Sequence, residues 1–402
     1  MKNDDLGKVP SIRFKGFTND WELRKLIDIV NRVNKSSNSN ELPKVEFEDI
    51  VSGEGRLNKD VFLKLDDRKG ISFEPENILY GKLRPYLKNW LFPNFSGIAL
   101  GDFWVFKATN ISVPSFDFYL IQSDNYQKVA NDTSGTKMPR SDWKNVSSTD
   151  FAIPGKQEQQ QIGIFFQSFD NLITLHQRKL DKTKELKKTM LSKMFPKNGE
   201  DKPEFRFSGF TDAWEQCDFK DLAKVRRGLT YKPKDIQKKG VRVLRSSNIN
   251  EDTFELRSDD IFVNQSALNI KSVDENDILI TSANGSSRLV GKHALIKNIT
   301  DLAVHGGFML LATSEEPYFT NAFMSSSWYS RFIHIYVSGG NGAIGNLSKS
   351  DLDSQKIYIP KQFEQQQIGT FFQSLDNLIT LHQRELEQLK NIKKTLLKHM
   401  FV

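Results

Sequence analysis

Two glycine-rich segments have glycines spaced like those of loops that bind phosphate groups. Residues 340–345 match the G-x-G-x-x-G turn of dinucleotide-binding folds and follow a strand-like run at residues 332–337. That chemistry requires a helix and then a second strand, but the next strand-like run begins only about ten residues later, too few for a crossover. Residues 285–293 resemble a P-loop, yet the spacing is one residue too long and His293 replaces the Mg²⁺-binding Ser or Thr. We therefore predict a flexible glycine loop and a turn between two strands.

The other residues that could bind metal or act as nucleophiles form no catalytic pattern. The six histidines include no H-E-x-x-H or other compact metal pair. His176 and His382 occupy equivalent heptad positions, so we expect them to pack between helices. The single cysteine, Cys217, can form neither an internal disulfide nor a cysteine-rich metal site. Motifs of serine hydrolases, adenine methyltransferases and nucleases are not evident, so we expect no catalytic residue, metal or cofactor in this chain.

Hydrogen-bond donors of the kind that bind DNA cluster in two regions of the chain. Arg, Lys, Asn and Ser reach phosphates and base edges, and glycine lets backbone N–H groups approach a phosphate. Such donors occur at residues 80–90 and 133–140, and again at 226–232, 282–288 and 340–349. The candidate DNA-binding residues are Lys82, Arg84, Tyr86, Lys88, Thr136, Lys137, Arg140, Arg226, Arg227, Tyr231, Asn284, Ser286, Arg288, Asn341 and Lys349.

The composition is that of a globular protein large enough for two domains. The chain has 402 residues, of which 38% are hydrophobic and 27% charged, with 30 phenylalanines for its cores. Its net charge of +7 suits a polyanionic partner such as nucleic acid. The first residues contain no apolar signal segment, and no stretch reaches the ~18 apolar residues of a membrane span. We therefore expect a cytoplasmic protein without a membrane segment.

The chain contains two internal repeats in a fixed order. The long motif, at residues 153–195 and 359–401, is identical at 29 of 43 aligned positions with a constant offset of 206. The short motif, at residues 10–21 and 203–214, has the sequence P-x-[IF]-R-F-x-G-F-x-x-x-W. Two inserts, roughly residues 31–152 and 224–358, separate these motifs and share little beyond a coarse pattern. The short and long motifs, which we call the frame, therefore occur twice and flank two divergent inserts.

Each long motif predicts a single long helix. Neither copy contains Pro between its opening Ile-Pro and its closing Met-Phe, and apolar residues recur at heptad spacing with Lys187 as an interruption. A helix from residue 157 to 195 would be about 58 Å long at ~1.5 Å per residue. The apolar stripe is wider than a two-stranded seam needs, so it could also contact a globular domain or another subunit. The predicted pairing and docking residues are Ile162, Phe166, Phe169, Ile173, Leu180, Ile368, Phe372, Leu375, Ile379 and Leu386.

The inserts predict mixed α/β domains. Short runs typical of β-strands occur at residues 98–106, 277–281 and 356–359, with Gly, Asn and Ser between them. The predicted division is a first globular domain at residues 1–152, a helical spacer at 153–196, a linker at 197–202, a second globular domain at 203–358 and a second spacer at 359–402.

The repeated motifs resemble the characteristic regions of type I restriction-modification specificity subunits. The likeness rests on the short motif and on the sequence I-P…E-Q-x-x-I at the start of each long motif, and it covers the whole chain in the right order. It implies that the globular domains are target-recognition domains, each reading one half of a bipartite sequence in double-stranded DNA. It also implies that the long helices pair as an intramolecular antiparallel coiled coil with pseudo-twofold symmetry.

The resemblance further implies partner subunits that carry the chemistry. Two modification subunits would bind S-adenosylmethionine and methylate adenine, and restriction subunits would cut DNA with ATP and Mg²⁺. Two other interpretations remain open from the residues alone. One is a DNA-modifying enzyme with unrecognised catalytic residues, against which the missing motifs argue. The other is a coiled-coil scaffold that binds only protein, against which the divergent, donor-rich inserts argue.

Overall fold

The chain folds into two compact units. The computed structural model describes residues 9–63, 66–133, 137–197, 200–337 and 345–402. Unit one comprises the residues up to 178 together with 383–402, and unit two comprises residues 179–382. Each unit therefore contains one insert, the beginning of one long helix and the end of the other. The predicted mixed α/β architecture with two long helices is confirmed, whereas the predicted domain boundaries stay a prediction.

Unit one combines short strands with small helices and the start of a long helix. Its strands are β1 (Glu22–Lys25), β2 (Val30–Val33), β3 (Ser36–Ser37), β4 (Lys44–Val45), β5 (Gly70–Phe73), β6 (Ile78–Gly81), β7 (Trp90–Leu91), β8 (Gly97–Ala99), β9 (Phe103–Ala108) and β10 (Asp150–Ile153). Its helices are α1 (Leu26–Ile29), α2 (Pro114–Leu120), α3 (Asp124–Ala130), α4 (Trp143–Ser148) and the first part of α5 (Lys156–Lys193).

Two four-stranded sheets form the centre of unit one. Their strand orders are β2-β9-β6-β7 and β3-β5-β8-β4, and only the β4–β8 pair among them is parallel. The neighbouring central strands β6 and β9 carry apolar runs that are buried without alternation, because both faces of the sheet are covered. The strand β1 pairs with β10, so the end of the short motif lies beside the strand that leads into α5.

Unit two also contains two four-stranded sheets, small helices and the start of a long helix. Its strands are β11 (Glu215–Asp218), β12 (Lys224–Arg227), β13 (Ile236–Gln237), β14 (Val241–Leu244), β15 (Ile249–Asn250), β16 (Thr253–Phe254), β17 (Ile261–Val263), β18 (Ile278–Thr281), β19 (Ala283–Asn284), β20 (His293–Leu295), β21 (Ala303–His305), β22 (Met309–Thr313), β23 (Gly345–Asn346) and β24 (Lys356–Ile359). Its helices are α6 (Phe219–Leu222), α7 (Pro317–Met324), α8 (Ser327–Val337), α9 (Lys349–Asp353) and the first part of α10 (Gln362–Met400). The sheet order β12-β22-β18-β20 matches that of β2-β9-β6-β7 in unit one. The second sheet, β13-β17-β14-β21, again contains one parallel pair, β14–β21, but its earlier strand β14 is internal, whereas the earlier strand of the pair β4–β8 lies at the edge.

Two local expectations from the sequence are wrong. Residues 98–106 are not one strand: β8 and β9 are separated by a turn at Gly101, whose φ of +86° suits glycine. Residues 332–337 are not a strand but the end of α8. Tyr329, Phe332 and Val337 are buried along one side of that helix, so packing overrides the β-propensity of its Ile, Tyr and Val residues. The predicted strands near residues 277–281 and 356–359 are confirmed as β18 and β24.

The short motif is anchored to a long helix in the same way in both units. In unit one, Arg13 donates from Nε and Nη2 to the two carboxylate oxygens of Glu158 at 2.6 and 2.7 Å. In unit two, Arg206 donates to Glu364 with the same two distances. Both glutamates are buried in the first turn of their helix, where a negative charge is favourable. This ion pair explains why Arg in the short motif and Glu in the long motif recur together.

In unit one the two long helices run antiparallel. Phe166 of α5 lies 6.1 Å, between ring centroids, from Phe401, just beyond the end of α10. Further along α5, Asp170 Oδ1 lies 2.6 Å from Lys393 Nζ. The residue number rises on one helix as it falls on the other, so the two helices are antiparallel.

Unit two shows the equivalent pairing with the roles of the helices exchanged. Phe195, just beyond the end of α5, stacks on Phe372 of α10 at 5.7 Å. Lys187 Nζ lies 2.7 Å from Asp376 Oδ1. The offset of 206 converts each contact of unit one into its counterpart here. The intramolecular antiparallel pairing implied by the family resemblance is thus confirmed within each unit.

Candidate nucleic-acid interface

In unit one, backbone hydrogen bonds bring two distant donor-rich segments together. The loop after β6 places Arg84 and Lys88 in the left-handed region, with φ of +49° and +54°. The Arg84 N–H donates to the Pro139 carbonyl at 2.7 Å, and the Ser141 N–H donates to the Lys82 carbonyl at 2.8 Å. Residues 82–84 and 139–141 therefore form one platform, which we call platform one.

Two of the basic residues on platform one share a carboxylate. Asp102, in the turn between β8 and β9, lies 3.5 Å from Lys82 Nζ and 3.0 Å from Arg140 Nη2. The Lys82 N–H also donates to the Asp102 carbonyl at 2.9 Å. Asp102 therefore orients both cations and reduces the charge that they present to a ligand.

The remaining candidates of unit one are exposed beside this platform. Arg84, Lys88 and Lys137 have no hydrogen-bond or ion-pair partner for their side chains among the described residues of unit one. Tyr86 is 57% exposed. These cations are thus available to phosphates or bases. Thr136 lies outside the described residues.

Unit two builds the same platform from other residues. The strand β19 pairs with β23, which joins Asn284 to Gly345, and the Leu347 N–H donates to the Ser282 carbonyl at 2.7 Å. The Ser282 N–H donates to the Phe308 carbonyl at 2.9 Å, as Lys82 does to Asp102 in unit one. We call residues 282–284 with 345–347 platform two. One backbone design therefore presents two different sets of side chains.

Several candidates in unit two have partners within the protein. Arg226 Nη2 lies 3.1 Å from the buried carboxylate of Asp277, and Lys349 pairs with Asp353. The Asn284 amide donates to Ser246 Oγ at 3.0 Å, and its oxygen accepts from the Ser286 N–H. These contacts engage the side chains of Arg226, Lys349 and Asn284 within the protein, whereas Ser286 contributes only its backbone N–H.

Other candidates in unit two are free to meet a ligand. Arg227 and Arg288 are exposed, and their guanidinium groups have no partner within the described part of the unit. Tyr231 is half-buried and lines a cavity of about 640 Å³ together with Arg245, Asn284 and Phe308. Asn341 lies outside the described residues.

Three titratable groups of unit two, two histidines and the cysteine, add no charge to this surface. Burial, reinforced by the neighbouring Arg226 charge, lowers the pKa of His305 to about 4. Burial likewise lowers the pKa of His293, which hydrogen-bonds Asn321. Burial, with the nearby Asp221 and Asp218, raises the pKa of the Cys217 thiol to about 11. At neutral pH these two histidines are uncharged and the thiol is protonated, so none of the three groups adds charge to this surface.

The residues predicted for helix pairing lie mostly at buried positions. Buried side chains are Ile162, Phe166, Ile173, Leu180, Ile368, Phe372, Leu375 and Leu386. Phe169 and Ile379 are half-buried. Ile162 and Phe166 belong to the core of unit one, whereas Ile368, Phe372 and Leu375 belong to the core of unit two.

Sequence reasoning missed the polar contacts between the helices. Lys187 interrupts the apolar heptads, but its ammonium pairs with Asp376, and its counterpart Lys393 pairs with Asp170. Lys393 also lies over the Tyr119 ring at 5.2 Å. The signal was present, because a lysine and an aspartate both recur at the offset of 206 within otherwise apolar stripes.

The chain matches one known family in both of its halves. The family described as the type I restriction modification DNA specificity domain matches residues 18–185 and again 211–391. The MjaVIII type I restriction enzyme specificity subunit of Methanocaldococcus jannaschii is 22% identical, covering 94% of this chain and 91% of its own length. The HindI specificity subunit of Haemophilus influenzae is 28% identical over 39% of this chain and 37% of its own length.

Solved structures share the fold. The type I restriction-modification S subunit from M. genitalium matches with a TM-score of 0.63 and 13% identity, covering 98% of this chain and 99% of that one. A chain from a structural study of type I system assembly and conformational transition matches with a TM-score of 0.50 and 17% identity, covering 94% and 96%. No helix in the described part of the chain is both long and apolar enough to cross a membrane. The chain belongs to the type I restriction-modification DNA specificity family and is one of its DNA-recognition subunits.

Proposed function

We propose that each insert reads one half of a bipartite site in double-stranded DNA. The observation that carries this proposal is that the same backbone platform is built twice with different side chains. A shared backbone gives both inserts a similar approach to DNA, while different side chains give them different sequence preferences. The family resemblance implies that the paired helices set the gap between the half-sites, as dimer geometry does in other DNA readers.

Two exposed arginines, one in each unit, are our candidates for base contacts. Arg84 on platform one and Arg288 beside platform two are exposed and have no partner among the described residues. A guanidinium can donate two hydrogen bonds to guanine O6 and N7, a contact that discriminates by about 1–3 kcal/mol. Lys88, Lys137 and Arg227 are free to bind phosphates, which strengthens binding without selecting sequence.

The helices support docking of two copies of one partner. Leu172 and Leu175 of unit one are 45% and 46% exposed, and their counterparts Leu378 and Leu381 of unit two are 45% and 49% exposed. Equivalent exposed leucines at an offset of 206 suit two identical modification subunits. In this proposal those subunits bind S-adenosylmethionine, restriction subunits supply the ATP- and Mg²⁺-dependent cleavage, and the chain itself is non-catalytic. The assembly acts on DNA in the cytoplasm.

Selection from a random duplex pool tests the reading function. The chain, purified with its modification subunit, should enrich sequences with two short fixed blocks separated by a constant gap. Replacing Arg84 with Ala should relax one position in one block, and replacing Arg288 with Ala should relax one position in the other. Lys88→Ala serves as a matched control and should weaken binding to all sequences alike, with a smaller salt dependence. Enrichment of one continuous block, or of none, would contradict the proposal.

A further inference from the structure

Equivalent backbone positions carry Asp102 in unit one and Phe308 in unit two. The Asp102 carbonyl accepts from the Lys82 N–H at 2.9 Å. The Phe308 carbonyl accepts from the Ser282 and Ala283 N–H groups at 2.9 and 3.1 Å. The two side chains therefore start from the same place on their platforms. One offers a carboxylate and the other an aromatic ring.

The Phe308 ring is held out from the protein by a fixed turn. Its side chain is 74% exposed, so most of the free energy available from burying a phenylalanine is not realised in this fold. The Met309 N–H donates to the Gly306 carbonyl at 2.8 Å, and the Gly306 N–H donates to the Leu244 carbonyl at 2.9 Å. A Cβ atom at Gly228 would lie 1.9 Å from the Gly306 oxygen, so only glycine fits beside this turn. The ring is thus presented on a constrained backbone.

The surface around Phe308 offers apolar contact within a basic setting. Two polar side chains of the cavity have partners within the protein: Asn284 bonds Ser246 and Ser286, and Arg245 Nη2 donates to the Asp259 carbonyl at 2.9 Å. Exposed apolar surface at this cavity comes from Phe308 and Ile236. The neighbouring residues 226–236 contain four cations and one carboxylate, which suits a polyanionic ligand.

We propose that Phe308 determines specificity by contacting the C5-methyl group of a thymine in the major groove. This methyl is the apolar feature that distinguishes a T·A pair on the major-groove edge. Phe308 meets it beside the cavity, so the half-site read by unit two contains a required thymine. Asp102 offers no apolar surface at the equivalent position, so the requirement belongs to that half-site alone. The inference rests on the proposed reading of DNA by both inserts.

Uracil substitution removes the methyl group and leaves base pairing unchanged. Once the target is selected, each thymine in the half-site of unit two is replaced with uracil, and binding is measured with the chain and its modification subunit. At one position the wild-type complex should lose affinity about fourfold, the effect of one buried methyl. Phe308→Ala should bind thymine duplex as weakly as the wild type binds the uracil duplex, and uracil should then have no further effect. Phe308→Leu should retain part of the thymine preference.

A control variant and three contrary outcomes test whether the Phe308 ring contacts the thymine methyl. Leu302→Ala removes another exposed apolar side chain of unit two and should leave the uracil effect unchanged. If uracil has no effect at any position in the wild-type complex, the inference is wrong whatever the variants do. If Phe308→Ala weakens binding to all sequences equally, the ring acts as a wedge or backbone contact and the inference also fails. If the wild-type complex selects no bipartite sequence, the proposed function itself fails.

Discussion

Replacing Arg206 with Ala should lower the free energy of unfolding by about 3 kcal/mol or more. The Glu364 side chain is only 1% exposed, so its carboxylate would remain buried without its cationic partner. Arg206 also donates to the Asp212 carbonyl, so the variant further releases the short motif from the helix. Urea denaturation followed by circular dichroism measures the change.

The equivalent pair in unit one provides a matched comparison. Arg13→Ala should cost a similar amount, because Glu158 is 2% exposed and is bonded with the same geometry. The double variant Arg206→Met with Glu364→Leu should recover most of the loss, since removing both partners leaves no buried charge unpaired. A loss below about 0.5 kcal/mol for Arg206→Ala, the range of ordinary surface substitutions, would contradict the proposed anchoring role.

Replacing Lys393 with Glu should destabilise unit one by about 3–5 kcal/mol. The Lys393 side chain is 9% exposed, and the variant would place a second carboxylate against Asp170. Tyr119 donates to the other Asp170 oxygen at 2.7 Å, so the aspartate is held in place and cannot easily turn away. The unfolding transition of the whole chain reports the loss.

A reciprocal exchange tests the antiparallel register directly. Asp170→Lys alone should also destabilise, because it places two ammonium groups together. Combining Asp170→Lys with Lys393→Asp restores opposite charges and should recover at least half of the loss. The pair Lys187–Asp376 in unit two should respond in the same way. If the exchanged double variant is no more stable than the sum of its single variants predicts, this register of the two helices is wrong.

The frame could be predicted from the sequence more fully than the inserts. The repeat at a constant offset, the heptad spacing of apolar residues and the absence of internal proline predict both long helices to within a few residues of their observed ends. The ion pairs of Lys187 and Lys393 are recognisable only once the antiparallel register is known, because each lysine meets a residue on the other helix. Residues 332–337 resemble a strand when they are considered alone, because the buried Tyr329 that reveals a helical period lies outside those six residues.

The candidate interface depends on contacts between residues far apart in sequence. Composition identified residues 80–90 and 133–140 separately, but the hydrogen bond between Arg84 and Pro139 belongs to an isolated β-bridge between two loops, which the local sequence pattern does not specify. Nothing in the sequence around Arg226 indicates that its charge is paired with the carboxylate of Asp277, 51 residues away. Phe308 is one of 30 phenylalanines, and only the structure shows its ring exposed.

Exchange of one insert, followed by sequencing of the methylated sites, tests most directly whether the two inserts read DNA independently. Residues 224–358 are replaced by the corresponding insert of a relative, and the chimeric chain is expressed with its modification subunit in a host that lacks other adenine methylation. We expect one half of the methylated motif to change completely, while the other half and the gap between them stay the same. A motif in which both halves change together, or in which neither changes, would contradict independent reading by the two inserts.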